Sequence, residues 1–478
     1  MPPGAADSAD WSRERTEALA ERICDAPRIE AAVAESANAS PSALRDILHA
    51  ARALQGRTRD QAAALIQVRD PDLRAEILDA AGHVHQQVFA RRISLSVPIC
   101  PTNRCVNDCA YCPLRRSNAR LRRTTSSTRE IQREVAALLG EGHCHVTMVH
   151  GDDRSGVQYL RDLVWAAYGV RSNSRQMQRI DLNINPMSVP ELRELTGAHI
   201  AVFHVYQETY HRETYQALHH DGVKADFAWR LTGHDRAHQA GLSNAGLGLL
   251  LGAYDFRFDV PALLAHAQHL RESYGVGPQA ITYPVMLPVP GAPVTRDPAH
   301  KVSDEDFIFV VAVTRLASPY TSIVMATPAP TEVRRTLYGV GVSEVSVGSL
   351  SYPGVYTADG DPAAAGNLVI GRPRGLENLV YRICEAGFVP NLCAACYTQT
   401  RREADPERTR RPSHTSESCG ANALLALKDY LMDFASPDTQ TVGGRLIQAE
   451  LARLAGSTRA LTLELMEEAE AGLRGLSM

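Results

Sequence analysis

Over the first 90 residues apolar positions recur at intervals of three and four, the repeat of an amphipathic helix. The pattern predicts helices over Trp11–Ile23, Ile29–Glu35, Ser42–Leu54 and Pro71–Ala90, with Ser40-Pro41-Ser42 and Asp70-Pro71 supplying breaks and caps. They read as a helical layer closing one end of the core. From residue 91 the repeat changes. Short apolar runs at Ile93–Pro98, His145–His150, Arg179–Ile184, His199–Tyr206, Ala245–Leu251, Ala280–Pro284, Ser322–Ala326 and Glu344–Gly348 alternate with amphipathic stretches. Those stretches are predicted helices over Thr128–Leu139, Gly156–Tyr168, Val189–Leu195, Lys224–Ala240, Val260–Tyr274, Ser303–Ala317 and Glu332–Tyr338. Strands this apolar, each followed by a helix, require parallel pairing with both faces covered. Eight such units within about 250 residues suit a (β/α)8 barrel of the α/β class, whose functional side chains project from the carboxyl ends of the strands.

Beyond about residue 351 the alternation fades into Gly, Pro, Ala and Asp, and residues 351–372 read as a loop across the barrel mouth. Helical patterns return at Gly375–Ala386, Ala421–Phe434, Gly443–Leu454 and Thr458–Leu473. Three regions follow: an N-terminal helical region (1–90), the barrel (91–350) and a C-terminal helical domain (351–478). No fixed internal repeat is visible.

The chemistry concentrates directly after the first strand. Cys105-Val-Asn-Asp-Cys109-Ala-Tyr111-Cys112 sets three thiols in C-x3-C-x2-C spacing. Three thiolates can hold three irons of a 4Fe-4S cluster and leave the fourth without a protein ligand, open to an exogenous amine and carboxylate. A structural zinc is the alternative, with Cys100 as a fourth ligand. Facing this loop, after the later strands, stand His150-Gly151-Asp152-Asp153, Asn183 and Asn185, and Gln207 with Glu208. They are polar groups placed for an amine, a ribose or a substrate, although Asp and Asn are also ordinary turn residues. A second group, Cys393-Ala-Ala-Cys396 with the distant Cys419, fits a second iron-sulfur cluster, a redox pair, or zinc with His414. His266 and His269, at i and i+3 on one predicted helix, could reach a metal together.

Composition removes several classes. The 478 residues carry a net charge of -4 with Lys and Arg dispersed, which gives no electrostatic reason to expect nucleic acid. No apolar stretch approaches the roughly 18 residues of a membrane helix, and Met1-Pro-Pro-Gly lacks a signal core, so a cytoplasmic protein is expected. The ten cysteines, two groups of them with metal-like spacing, fit reduced thiols better than a disulfide framework. Cys24, Cys144 and Cys384 read as buried or incidental.

The C-x3-C-x2-C triplet, with an aromatic residue just before its last cysteine, resembles the radical S-adenosylmethionine (SAM) enzymes. Other stretches make the chain similar to their aromatic amino acid lyase branch, nearest to the tyrosine lyases of FeFe-hydrogenase maturation. They are Tyr206-Gln-Glu-Thr-Tyr-His211, Glu213-Thr-Tyr215, Trp229-Arg230-Leu231, Gly275-Val-Gly-Pro278, Val302-Ser-Asp-Glu-Asp306 and Cys419-Gly-Ala-Asn422. The resemblance implies SAM as cofactor beside Tyr111, Gly151, Asp152, Asn183, Gln207 and Glu208, an electron donor such as ferredoxin or flavodoxin, and a 5′-deoxyadenosyl radical. It also implies Cα–Cβ cleavage of tyrosine to p-cresol and dehydroglycine. Cys393, Cys396 and Cys419 would hold an auxiliary cluster that turns the fragment into carbon monoxide and cyanide, with His266 or His269 on an extra iron. Three positions depart from the family pattern: Val285 where an arginine is expected, Asp152 in place of a glutamate, and Thr398 after Cys396-Tyr397. Valine cannot make the bidentate pair a carboxylate favours. A lyase or mutase for another amino acid, such as tryptophan, and a non-catalytic iron-sulfur scaffold are the competing readings.

Overall fold

A computed structural model describes residues 11–36, 39–153, 155–172, 175–348, 352–357, 375–394 and 417–478. Eight parallel strands close on themselves: β1 (Arg92–Ile99), β2 (His145–Val149), β3 (Arg179–Asn183), β4 (Phe203–Glu208), β5 (Ala245–Leu249), β6 (Ala280–Tyr283), β7 (Ser322–Met325) and β8 (Glu344–Ser346). β1 pairs with β8 through Ser94–Ser96 and with β2 through Val97–Ile99, which shuts the barrel. A short β9 (Val389–Asn391) adds to the first residues of β1, Arg92–Ser94, at the amino-terminal end of the barrel.

Strand periodicity divides the two faces. The outward positions Ile93, Leu95, Val97, Ile99, Val146, Met148, Ile180, Leu182, Leu247, Leu249, Ile281 and Ile323 are buried under the helices. Apart from Val149 and Val324, the inward positions are mostly small or polar, among them Ser94, Ser96 and Pro98 on β1, Thr147 on β2, Gly246 and Gly248 on β5, Ala280 and Thr282 on β6, and Ser346 on β8. An ordinary barrel fills its bore with branched apolar side chains. Here the bore keeps a cavity of about 200 Å³.

The N-terminal helices α1 (Arg13–Ile23), α2 (Ala26–Ser36), α3 (Pro41–Arg52), α4 (Arg59–Ile66) and α5 (Pro71–Phe89) do not close an end. They pack on the flank, over α12 (Phe256–Tyr274) and α13 (Asp304–Ala317) of the barrel's outer layer. α4 is absent from the periodicity reading because Ala62 to Ile66 is apolar on every face; it is buried between α2, α12 and α13. The remaining crossovers are α6 (Thr128–Gly140), α7 (Gly156–Gly169), α8 (Val189–Leu195), α9 (Arg212–Leu218), α10 (Phe227–Leu231), α11 (Gly233–Ala240) and α14 (Thr331–Val340). Ser127 and Glu130 form a reciprocal capping box that starts α6.

Two predicted elements change. The strand expected from His199 begins at Phe203, because His199 takes a left-handed conformation (φ 58°) after a 3-10 turn. The helix expected over Lys224–Ala240 divides into α10 and α11 at Thr232. After the barrel come α15 (Leu376–Glu385), α16 (Glu417–Asp433), α17 (Pro437–Leu451) and α18 (Gly456–Glu470), with α16 packed against β9, α17 and α18. Apart from residues 352–357, the loop expected over 351–372 lies outside the described residues. No helix among the described residues is long and apolar enough to cross a membrane.

Candidate active site at the barrel mouth

The loop after β1 carries Cys105, Cys109 and Cys112 and is fixed by its own backbone and by its neighbours. Arg123 donates to the carbonyls of Asn103 (2.5 Å), Leu114 (2.7 Å), Arg115 (2.6 Å) and Asn118 (3.2 Å), closing the loop on itself. Ala110 N donates to Leu218 O (2.8 Å), and Val106 N donates to Asp152 O (2.7 Å). Gly151 makes that approach possible, since a Cβ there would stand 2.5 Å from Arg104 O and 2.7 Å from Thr102 O. Its side-chain-free backbone serves the loop directly.

Around the loop runs a closed circuit of polar groups from five segments of the mouth. Asn107 Nδ2 donates to Asp152 Oδ2 (3.0 Å), and Asn185 Nδ2 donates to the same oxygen (2.5 Å). Arg230 Nη1 donates to Asn185 Oδ1, and Arg230 Nη2 lies 4.0 Å from Glu208 Oε1. Lys224 Nζ donates to Glu208 Oε1 (2.5 Å), and Lys224 N returns to Asn107 Oδ1 (2.8 Å). Two carboxylates and two cations balance, so the circuit is neutral as well as bonded. Glu208 joins it from a left-handed backbone (φ 70°) at a bulge between Tyr206 and Glu208. Strain of this kind, about 1–3 kcal/mol, persists where the surroundings hold it in place.

The sequence-predicted residues fall as follows. Asp152 and Glu208 stand in the circuit, and Asn107 Nδ2 also lies 3.6 Å from Cys105 Sγ. Tyr111 is beside it, its hydroxyl 3.0 Å from His219 Nε2 and its ring under Lys224. Burial holds His219 well below its ordinary pKa, and its Nδ1 faces Tyr215 O (2.7 Å), so Nδ1 donates there and Nε2 accepts from Tyr111. Asn183 faces the bore as part of the cavity wall. Gln207 is not brought to the mouth: its amide turns outward toward Phe227 O (3.5 Å). Lys224 and Asn107 were not singled out, and Arg230 was named only within the stretch Trp229-Arg230-Leu231 and given no role, because their pairing depends on segments far apart in the chain.

The donor set suits iron and sulfide better than zinc. Burial pushes the Cys112 thiol up to about 12, with Cys109 and Cys105 adding to the rise, so the three sulfurs share one neighbourhood. Tetrahedral zinc needs sulfurs about 3.8 Å apart. Among the described residues the three thiols do not close to within 4.8 Å of one another, whereas His145, Asp181 and Glu344 do. Cys100 is withdrawn from the loop, its thiol donating to Thr102 O (3.3 Å). The His145, Asp181 and Glu344 set is no cation site either, because the Arg179 guanidinium already lies between the two carboxylates.

The second thiol group occupies the opposite end of the barrel, roughly 25 Å away, the length of eight-residue β1. Cys393 follows β9, and Cys419 lies in the first turn of α16. Both act on the charge of half-buried Arg92, whose pKa burial lowers and these thiols raise. Cys144 Sγ donates to Leu392 O (2.7 Å) beside them. Cys396, Tyr397, Thr398 and His414 lie outside the described residues. His266 and His269 sit on α12 beyond β5, across the barrel from β1. His266 Nδ1 meets Tyr210 OH (3.0 Å) and His269 Nε2 meets Asp235 Oδ1 (2.7 Å). The structure does not bring them to Cys393 or Cys419.

After β6, Val285 packs against the main core, and Met286 joins Leu218, Leu250 and Ala253 beside Ala110 and Tyr111. An apolar floor occupies the position where an arginine was expected.

Comparison with known proteins agrees with this geometry. Residues 99–259 match the Radical SAM superfamily, and residues 282–389 match the Biotin and Thiamin Synthesis associated domain. The chain is 30% identical over 308 residues to the 2-iminoacetate synthase of Escherichia coli (strain K12), covering 64% of this chain and 79% of that protein. The corresponding enzyme of Salmonella typhimurium is 30% identical over 305 residues, 63% of this chain and 78% of that one. The crystal structure of HydG, a maturase of the FeFe-hydrogenase, superimposes with a TM-score of 0.87 at 30% identity, covering 95% of this chain and 98% of HydG. HydG from Carboxydothermus hydrogenoformans gives a TM-score of 0.77 at 25% identity, over 95% and 97% of the two chains.

Proposed function

We propose a tyrosine lyase, from the premise that this chain belongs to the radical SAM superfamily and, within it, to the family of the 2-iminoacetate synthases. The observation that carries the reading is the Cys105, Cys109 and Cys112 loop, framed by a neutral polar circuit, with a bore cavity of about 200 Å³ whose lining includes the flanking Cys100 and Leu114. A 4Fe-4S cluster and SAM, when bound, supply a 5′-deoxyadenosyl radical that takes a hydrogen atom from the substrate.

The three thiols are the ligands we assign to the cluster. Asp152 and Glu208 are acceptors suited to the SAM amine and ribose hydroxyls, and Tyr111 and Asn183 complete the walls. The protein's work is positioning and exclusion of water. The Asn107 to Lys224 circuit fixes its donors and acceptors before any ligand arrives, so little reorganisation is needed on binding. The products would be p-cresol and dehydroglycine. Cys393 and Cys419, with Cys396, are the ligands we assign to an auxiliary cluster that acts on the dehydroglycine fragment, and a ferredoxin or flavodoxin would supply electrons. Two oxygen-labile clusters held by reduced thiols suit the cytoplasm.

Val285 favours one second reading. With no arginine after β6 to grip a substrate carboxylate, another amino acid could be the preferred substrate. Anaerobic reconstitution followed by SAM, dithionite and tyrosine separates the two. The tyrosine lyase yields 5′-deoxyadenosine and p-cresol in comparable amounts. Deoxyadenosine without p-cresol would shift the assignment to another amino acid, and neither product from cluster-loaded protein would remove the enzyme reading altogether.

A further inference from the structure

The cavity inside the barrel has two chemically different ends. The upper end, toward the cysteine loop, is lined by Cys100, Leu114, Ala326 and the register pair Val149 and Asn183. The lower end is lined by Thr147, His204, Tyr206, Thr282 and Glu344. Polar groups in a barrel bore are costly unless something uses them. One of their atoms, His204 Nδ1, is buried with no hydrogen-bond partner, and buried Thr282 Oγ1 has only the Tyr206 hydroxyl beside it.

The arrangement around His204 fixes its hydrogen-bonding sense. Its Nε2 lies 3.5 Å from Asp181 Oδ2, and Asp181 is itself held by Arg179 through Nε (3.0 Å) and Nη2 (2.6 Å). A carboxylate paired in this way only accepts, so Nε2 carries the hydrogen and Nδ1 is left as an acceptor. Thr282 Oγ1 stands near the Tyr206 hydroxyl. The glycines of β5 make room for both rings. A Cβ on Gly246 would stand 2.1 Å from His204 Nδ1, and one on Gly248 2.2 Å from the Tyr206 ring.

One acceptor nitrogen beside two hydroxyls matches a single O–H group. A carboxylate would meet Asp181 and Glu344 as like charges, and an ammonium would find both carboxylates already paired with Arg179. The amino and carboxyl groups of a substrate therefore stay at the upper end. We propose that the lower end of the cavity selects a phenol, His204 accepting the hydrogen of the para-hydroxyl while Thr282 and Tyr206 donate to its oxygen. This rests on the tyrosine-lyase reading and names the residues that set its specificity.

The test is equilibrium binding of tyrosine and of phenylalanine to anaerobic protein loaded with iron, sulfide and SAM, followed by calorimetry. A site built around a hydroxyl favours tyrosine by about 30-fold or more. In His204→Leu, and in the isosteric Thr282→Val, the ratio should fall below about fivefold. His204→Asn, which keeps a polar atom near the position of Nδ1, should recover part of it. A ratio unchanged in both variants, with tyrosine still bound, overturns the phenol assignment and leaves the lyase standing. Wild-type protein that binds neither amino acid overturns both.

Discussion

Cys109→Ala should abolish 5′-deoxyadenosine formation, lowering it by about a thousandfold or more to the background of unassisted SAM decay. Cys109 is the most deeply buried thiol of the triplet, and its segment is pinned by the Ala110 to Leu218 backbone bond. Removing it leaves two thiols, which cannot retain a cluster that already has one iron without a protein ligand. Cys396→Ala should leave deoxyadenosine formation within about threefold of wild type, because its neighbours Cys393 and Cys419 lie at the far end of the barrel, roughly 25 Å from the mouth. It should change only what becomes of the fragment. Deoxyadenosine and p-cresol are both quantified by chromatography after a single anaerobic incubation. Equal loss of SAM cleavage in the two variants would contradict the division of labour.

Arg179→Leu should be the most damaging single change to stability outside the cysteine loops. Arg179 donates to both oxygens of Asp181 and to Glu344 Oε2 (3.2 Å), and all three side chains are buried at the base of the bore. Loss of the guanidinium strands two buried carboxylates, a change that typically costs about 3–5 kcal/mol. Urea unfolding of reconstituted protein reads it directly as a lower midpoint with an unchanged slope. The triple replacement Arg179→Met, Asp181→Leu and Glu344→Gln, which removes the charges together, should recover much of that loss. Burial alone would raise the Asp181 pKa, but Arg179 and His145 outweigh it and hold the carboxyl well below the usual range. The stabilisation is therefore complete above the ordinary Asp pKa of about 4 and fades only as pH falls below it. A midpoint for Arg179→Leu within experimental error of wild type would show that the network carries no net stability.

The barrel was legible in the sequence because its signal is local and repeated. Each strand is a run of outward Ile, Val, Leu or Met, and each crossover helix carries its own apolar stripe. The cysteine loop was legible for the same reason, since three thiols within eight residues need no knowledge of the fold. Elements that depend on tertiary partners were not. β9 is only Val389-Pro390-Asn391, too short and too proline-marked to read as a strand until β1 offers its edge. The Asn107, Asp152, Asn185, Arg230, Glu208 and Lys224 circuit draws on segments more than a hundred residues apart, and periodicity says nothing about which of them meet. His145, Arg179 and Glu344 open predicted strands and Asp181 lies inside one, and only the register of β2, β3 and β8 turns them into one buried cluster. His266 and His269 show the opposite case. Their spacing is local and suggestive, but in the fold His266 Nδ1 meets Tyr210 and His269 Nε2 meets Asp235, away from Cys393 and Cys419.

We assign to the Cys105, Cys109 and Cys112 loop an iron-sulfur cluster with one iron open to SAM. Electron paramagnetic resonance of dithionite-reduced protein carrying Cys393→Ala, Cys396→Ala and Cys419→Ala isolates that loop from the second thiol group. About four irons and four sulfides per chain are expected, with a spin-half signal whose g-values move when SAM is added. A signal indifferent to SAM, or protein that takes up zinc in place of iron and sulfide, would contradict it.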